Sequence, residues 1–295
     1  MVDVVRVPAD AFHWGAHRGP SAVLERIRSA CADTDHHDPL DEAALLRLKH
    51  HGLEDSALWL VGDSGFALTH TTADGTSLDV AVAPTTRGCG FGRGLAEAAL
   101  TETRGPIDAW SHGDHPGAAA LAKRFGFDRV RELWVMRRSL DEPLPDLVDG
   151  PAVRGFGAGD EEELLRVNAA AFASHPEQGS MSAANLAERM AEPWFDPEGL
   201  LLAVDGERLL GFHWTKLHPY GEGEVYVVGI DPAAQGAGLG RTLTLAGLHH
   251  LARKGARRVH LYVESDNAPA LRIYSGLGFA HADSDTHTQY HRPLT

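Results

Sequence analysis

The feature that most constrains this chain is an internal repeat. The segment VAVAPTTRGCGFGRGLAEAAL, starting at Val80, lies over VGIDPAAQGAGLGRTLTLAGL, starting at Val228, without a gap. Pro84 falls on Pro232, Gly88 on Gly236, Gly90 on Gly238, Gly92 on Gly240, Arg93 on Arg241 and Leu95 on Leu243. Farther on, FGF at Phe125 to Phe127 answers LGF at Leu277 to Phe279, with the spacing changed by four residues. Two copies of one unit account for 295 residues, in line with roughly 150 residues per domain.

Between the copies runs SLDEPLPDLVDGP, Ser139 to Pro151, whose prolines and acids propagate neither a helix nor a central strand. This gives a first domain over 1–140, a linker over 141–151 and a second domain over 152–295. In the second, PAVRGF predicts a short strand, and DEEELLRVNAAAFA a helix with Asp160 as N-cap and acids in its first turn. SAANLAERMAE predicts a helix ending before Pro193. GLLLAVDGERLLGFHWTKLH predicts a hairpin about a tight turn at Asp205 and Gly206. EVYVVGID is a buried strand, RTLTLAGLHHLARKG a helix closed by Gly255, RRVHLYVES a further strand and APALRIYSGLG a short helix stopped by glycine. Strands and helices alternate around one sheet in each copy, so the fold class is α/β (α+β), a mixed central sheet flanked by helices.

Composition removes several function classes. Hydrophobic residues make up 43% and charged residues 23%, which fits a globular chain and neither a disordered nor a fibrous one. A formal charge of -14 repels phosphate backbones and anionic lipid, so neither nucleic acid nor membrane is expected as partner. MVDVVRVPADAFHWG lacks the pattern of a signal peptide, and no apolar run approaches the roughly 18 residues of a membrane helix, which predicts a cytoplasmic protein. Cys31 and Cys89 form no CxxC pattern, so reduced thiols are expected.

In QGAGLGR, Gln235 to Arg241, glycines alternate just before a helix and leave several backbone N–H groups free to face one anion, naturally a pyrophosphate. Walker A is excluded, because no Gly-Lys-Ser/Thr follows. A dinucleotide fingerprint fails as well. The loop reads G-x-G-x-G, and Asp231 to Gln235 separate it from the strand.

The run from Glu224 to Arg241, followed by LYVESDNAPALRIYSGLGF, resembles the GNAT superfamily of acetyl-CoA-dependent acetyltransferases, whose loop pattern is Q/R-x-x-G-x-G/A. The resemblance implies two tandem GNAT-like domains with acetyl-CoA as co-substrate. A bulged strand would pair with pantetheine through Val228, Gly229 and Ile230, and the loop Gln235, Gly236, Ala237, Gly238, Leu239, Gly240 and Arg241 would bind the pyrophosphate. Asn267, Ala268, Pro269, Ala270, Leu271 and Arg272 would form a second cofactor segment, with Tyr274 as the acid near the sulfur. The repeat carries the cofactor contacts over to Val80, Ala81, Val82, Gly88, Cys89, Gly90, Phe91, Gly92 and Arg93.

Within that superfamily NAAAFASHPEQG, WFDPEGLLLA, LLGFHWTKLHP and GEVYVVGIDPAAQ look like the two-domain actinobacterial branch that acetylates the cysteine amine of a cysteinyl-glucosaminyl-inositol. The resemblance implies a small-molecule amine acceptor, no metal and a monomer. Such a reaction needs a group to take the ammonium proton, a donor to the developing oxyanion and an acid for the departing thiolate. Glu224 is expected as general base, an N–H near Val228 as the oxyanion donor and Tyr274 as acid. The bland alternatives are an exposed edge-strand acid for Glu224 and a half-buried core tyrosine for Tyr274. Glu177, Lys216, Glu224 and Tyr262 match acceptor contacts in that comparison, and Asp35 matches through DHHDPLDEAALL.

Laid through the loop, Thr76 takes the place of Glu224, and through FGF, Ala122 takes that of Tyr274. The first copy is therefore expected to keep a cofactor loop without proton-transfer groups, in a structural or substrate-closing role, and Cys89 to be a small packing residue. The pairs His36 and His37, His50 and His51, and His249 and His250 are expected on the surface, not at a metal. Two other readings stay open: a non-catalytic acyl-CoA-binding sensor, and an acetyltransferase for another small amine.

Overall fold

The computed structural model describes residues 2–72, 75–147, 150–173 and 178–293. The chain folds as two compact units, Met1–Leu133 with Asp283–Thr295, and Trp134–Ala282.

In the first unit the elements run β1 (Val5–Arg6), α1 (Pro20–Asp35), α2 (Glu42–His51), β2 (Ser56–Val61), β3 (Gly65–Thr71), β4 (Thr76–Val82), α3 (Phe91–Glu102), β5 (Ile107–Ser111) and α4 (Pro116–Phe125). β6 (Asp128–Ser139) then crosses the unit boundary. The second unit continues with β7 (Ala152–Gly155), α5 (Glu161–Ala171), α6 (Ala183–Met190), β8 (Leu200–Asp205), β9 (Arg208–His218), β10 (Glu222–Ile230), α7 (Leu239–Arg253), β11 (Arg258–Glu264) and α8 (Ala268–Ser275). The last strand is β12 (Ala280–Arg292).

Each unit has a mixed sheet of the same plan. In the first, β1 to β4 pair antiparallel in sequence and β4 meets β5 in parallel. In the second, β7 to β10 pair antiparallel and β10 meets β11 in parallel. Short runs such as Leu200–Ala203 are buried on both faces, which is why they read as continuous apolar segments and not as an alternation. α7 presses Leu239, Leu243 and Ala246 into one core cluster and Leu245, Leu248 and Leu251 into another, so it is apolar over most of its circumference. Its approach to β9 needs a glycine: a Cβ at Gly247 would lie 2.0 Å from the ring of His213. That buried imidazole bonds the Leu243 carbonyl through Nδ1 at 2.8 Å, and burial pushes its pKa down to about 4, so it stays neutral.

Local expectations hold with small changes. The hairpin is present, but Asp205 pairs with Arg208, so the turn is Gly206 and Glu207, and Gly206 takes the positive φ of 61°. Asp160 sits at the N-cap of α5 without capping it. Its carboxylate instead accepts from the Gly157 N–H at 2.8 Å and from Arg154 at 2.6 Å. α6 does carry a capping box, Ser182 with Asn185.

The units depart from the linear division at 140 and 152. Trp134–Ser139, ahead of the proline-rich segment, belongs to the second unit, and Asp283–Thr295, at the far end of the chain, belongs to the first. There Thr288–Arg292 pair antiparallel with Ser111–Ile107, and Thr288, Gln289 and Tyr290 are buried. Which strand another strand adopts as partner is set by long-range register, which a local pattern does not reveal.

A chain ending at Ala282 should therefore damage the first unit, not the second. Hydrogen exchange followed by mass spectrometry should show lost protection at Ile107–Ser111 with Leu200–Asp205 still protected. Loss confined to the second unit would contradict this division.

Candidate active site

The site begins with a parallel strand pair that does not stay paired. β10 and β11 are in register from Glu222 opposite Arg258 to Val225 opposite Leu261, and no partner on β11 follows among the described residues. On its other side β10 remains paired with β9 to Ile230 opposite Gly211, through a bulge between Val225 and Val227 that leaves Tyr226 over. Val228, Gly229 and Ile230 therefore keep β9 on one flank and have no strand partner on the other among the described residues. Buried backbone groups need partners, so an extended ligand with amide groups suits that edge.

The strand leads into the glycine loop. Asp231 anchors the turn: its carboxylate accepts from the Ala233 N–H at 2.9 Å and from Arg166 at 3.0 Å, and these contacts hold its pKa below the usual range. Gln235 ends that turn, and Gly236 and Gly238 follow at φ 88° and 78°. Gly238 is the N-cap of α7 and offers no side chain, so the first-turn N–H groups, near Ala237, Leu239, Gly240 and Arg241, are left for an anion. Arg241 reaches across to the Gly276 carbonyl at 3.3 Å, tying α7 to α8. Asn267 caps α8 through Ala270 N–H at 3.2 Å, and Ala268, Pro269, Leu271 and Arg272 form its first turns.

At the other end of β10 lies the charged cluster. Glu224 is only 7% exposed, which rules out the solvent-facing edge acid. It sits opposite Lys216 on β9 and opposite His260 on β11. His218 Nε2 bonds its Oε2 at 2.6 Å, and His260 Nε2 lies 3.8 Å from the same oxygen. Burial alone would raise its pKa, but the bond from His218 and the charges of His260 and Lys216 outweigh it, and the carboxyl is held below its ordinary value. Glu222, two residues back on the same face, accepts from His260 Nδ1 at 3.0 Å and pairs with Arg137 at 3.0 Å. The His260 bond, more than any other contact, brings its pKa down to about 2.

Lys216 extends its ammonium over the rings of Trp194 and Tyr226, 4.6 and 5.2 Å from their centroids. Tyr262 is exposed and meets the edge of His260. Lys216, Glu224 and Tyr262, named from sequence, thus occupy adjacent strands around one cluster. Tyr274 packs half-buried against the core cluster containing Val225 and Leu261, and burial pushes its hydroxyl pKa up to about 12. Glu177 lies outside the described residues. Asp35 is in the first unit, where Arg87 grips it through both oxygens, at 2.8 and 2.5 Å, and lowers its pKa.

His218, Glu222 and His260 were missed. The alternation K-x-H, E-x-E and H-x-Y at 216–218, 222–224 and 260–262 puts each pair on one face, and that signal was available. Among the histidine pairs, His36, His50 and His51 are exposed as expected, but His250 is buried at 6% against Asp196 and His37 packs on His287.

The first unit repeats the framework with different contents. Among the described residues β4 and β5 are in register only at Thr76–Ile107 and Ser77–Asp108, while β4 pairs with β3 throughout without a bulge. Gly88 and Gly90 take φ of 78° and 84°, Gly90 capping α3 as Gly238 caps α7. Where the strands part there is a cavity of about 450 Å³ lined by Val80, Ala81, Val82, Gly88, Gly90, Phe91, Gly92 and Arg93, and by Ala122, His37 and His112. Cys89 is exposed outside this lining, and Thr76 is buried with its hydroxyl on Thr71.

Gly90→Ala and Gly238→Ala should each cost about 1 kcal/mol, since both positions have open space for a Cβ but a left-handed backbone. Denaturant unfolding of each variant measures it, and equal small losses are expected at the two caps.

A family model described as the acetyltransferase (GNAT) family matches residues 167–279. The fold is similar to a GCN5-related N-acetyltransferase from Sphaerobacter thermophilus, at TM-score 0.67 and 22% identity over 98% of this chain and 95% of that one. It is also similar to a tandem GNAT protein from the clavulanic acid biosynthesis pathway, at TM-score 0.67 and 17% identity over 99% and 98%. The mycothiol acetyltransferase of a Nocardioides species is 58% identical over 92% of this chain and 97% of its own length, and that of Actinosynnema mirum 49% identical over 89% and 93%. Identity at that level over nearly the whole of both chains leaves one conclusion, that this chain belongs to the mycothiol acetyltransferase family of tandem GNAT proteins.

Proposed function

We propose that the second unit transfers the acetyl group of acetyl-CoA to the cysteine amine of cysteinyl-glucosaminyl-inositol, the last step of mycothiol biosynthesis, in the cytoplasm, as a monomer and without a catalytic metal. The observation that carries this reading is the buried Glu224 at one end of β10, whose other end opens away from β11 into the glycine loop. The extended pantetheine arm lies along Val228 to Ile230 and the pyrophosphate on the N–H groups of Gly236 to Arg241, supported by the Asn267–Arg272 segment. This brings the thioester toward the cluster at the start of the strand.

The acceptor's ammonium sits against the Glu224 carboxylate, with Lys216, Tyr262 and Glu177 holding the rest of the acceptor. An α-amine with pKa near 7.7 to 8 is roughly a tenth to a fifth neutral at pH 7, so removing its proton is a small cost and orienting it is the larger contribution. The ammonium proton passes to Glu224, directly or through a water. The nitrogen then adds to the thioester carbon, and an N–H near Val228 donates to the oxyanion. The C–S bond breaks, Tyr274 gives its proton to the leaving thiolate, and the second proton lost from the nitrogen restores the phenol through solvent. With its pKa near 12, Tyr274 remains protonated and able to donate across the neutral range.

For the first unit we propose retained acetyl-CoA binding, through Val80 to Val82 and Gly88 to Arg93, without turnover. Thr76 and Ala122 stand where the second unit has its base and acid. Asp35, clasped by Arg87, is proposed as an acceptor contact.

Gly238→Asp places a side chain and a negative charge against the pyrophosphate, so acetyl-CoA affinity of the second unit should collapse. Calorimetry on the folded variant checks this, and unchanged affinity would remove the loop from the site.

Glu224→Gln should lower turnover roughly a hundredfold with acetyl-CoA binding kept, Tyr274→Phe roughly ten- to a hundredfold, and Thr76→Ala little. Steady-state rates on all three variants decide between the units, since equal losses from Glu224→Gln and Thr76→Ala would contradict catalysis in the second.

A further inference from the structure

His218, Glu224 and His260 bring three ligating atoms, two imidazole nitrogens and a carboxylate oxygen, within 4.8 Å of one another. We infer that they form a binding site for a divalent cation of the zinc type, and that its occupancy shuts the acceptor out. The two histidines approach the same carboxylate oxygen, His218 at 2.6 Å and His260 at 3.8 Å. Three protein ligands around zinc at 2.0 to 2.2 Å stand about 3.4 Å apart in a tetrahedron, so shifts of under about 1 Å convert the present spacing into a coordination shell with its fourth position open.

Ring orientation points the same way. Glu222 accepts from His260 Nδ1 at 3.0 Å and is itself held by Arg137, so Nε2 is the ring nitrogen turned toward the Glu224 carboxylate. A divalent cation takes the place of the proton between these atoms and binds both. A carboxylate bonded to the far nitrogen of a histidine is the usual support of a metal-bound imidazole. His218, with 31% of its side chain exposed, offers the way in from solvent. Imidazole and carboxylate together favour zinc over the hard cations magnesium and calcium.

Once bound, the cation takes the lone pair of Glu224 Oε2 and sets positive charge where the ammonium would lie. Binding itself stands apart from the acetyl-transfer reading; only the inhibition rests on it. The test uses the full chain, with cobalt chloride titrated and followed by visible absorption and zinc chloride by calorimetry. One equivalent should bind with a tetrahedral cobalt spectrum. His260→Gln should weaken binding at least tenfold, and Glu222→Gln, which leaves all three ligands, roughly ten- to a hundredfold. Melting temperatures without metal establish that both variants are folded, and Glu222→Gln alone suffices if His260→Gln is not. Zinc should also slow wild-type acetyl transfer, with a chelator restoring it and His260→Gln escaping it. No saturable cobalt spectrum, or one unchanged in the folded variants, overturns the site. Cobalt binding with no acetyl transfer under any condition leaves the site standing and removes the proposed function, and turnover without cobalt binding does the reverse.

Discussion

The parting of two parallel strands is the constraint on which the rest depends. Among the described residues β10 and β11 stay in register only as far as Val225 and Leu261, after which Val228 to Ile230 have no strand partner on that flank. A strand edge inside a fold must be satisfied by something, and an extended amide-bearing arm satisfies it in the way another strand would. The bulge at Tyr226 keeps β10 paired with β9 while re-aiming the residues beyond it. The loop at Gly236 and Gly238 then turns the chain so that the uncapped start of α7 meets whatever lies at the end of that edge.

The same device occurs in both units, but its surroundings differ. In the second, the paired end of β10 carries Glu222 and Glu224 among His218, Lys216 and His260, so charge is concentrated where an amine would be held. In the first, Thr76 pairs with Thr71 at the equivalent end, and the gap between β4 and β5 widens into a cavity walled partly by the small Ala122. One framework thus carries a charged site in one copy and room without those groups in the other, as duplication followed by divergence of contents would give.

Much of this was legible in residues. The repeat fixed two copies of one plan, the glycines before the helix at Gln235 to Arg241 marked an anion loop, and the run EVYVVGID placed Glu224 on a strand. Three things were not. The exchange of Trp134–Ser139 and Asp283–Thr295 between linear halves depends on which strands find each other across long separations. The turn at Gly206 and Glu207 is one residue beyond its expected place, with Gly206 taking the positive φ at the first of its two central positions. Asp160 gives up its cap because Arg154 and the Gly157 N–H compete for the same carboxylate. His218 and His260 are far apart in sequence and converge only because β9 and β11 flank β10, whereas side chains of adjacent histidines diverge.

The central claim is that this geometry moves an acetyl group from sulfur to nitrogen, and does not only hold acetyl-CoA. Mass spectrometry of the purified chain incubated with acetyl-CoA and cysteinyl-glucosaminyl-inositol tests it most directly. The acceptor should become heavier by one acetyl group on the cysteine nitrogen, with an equal amount of free CoA thiol. Acetyl-CoA bound tightly, with the acceptor recovered unchanged, would contradict it.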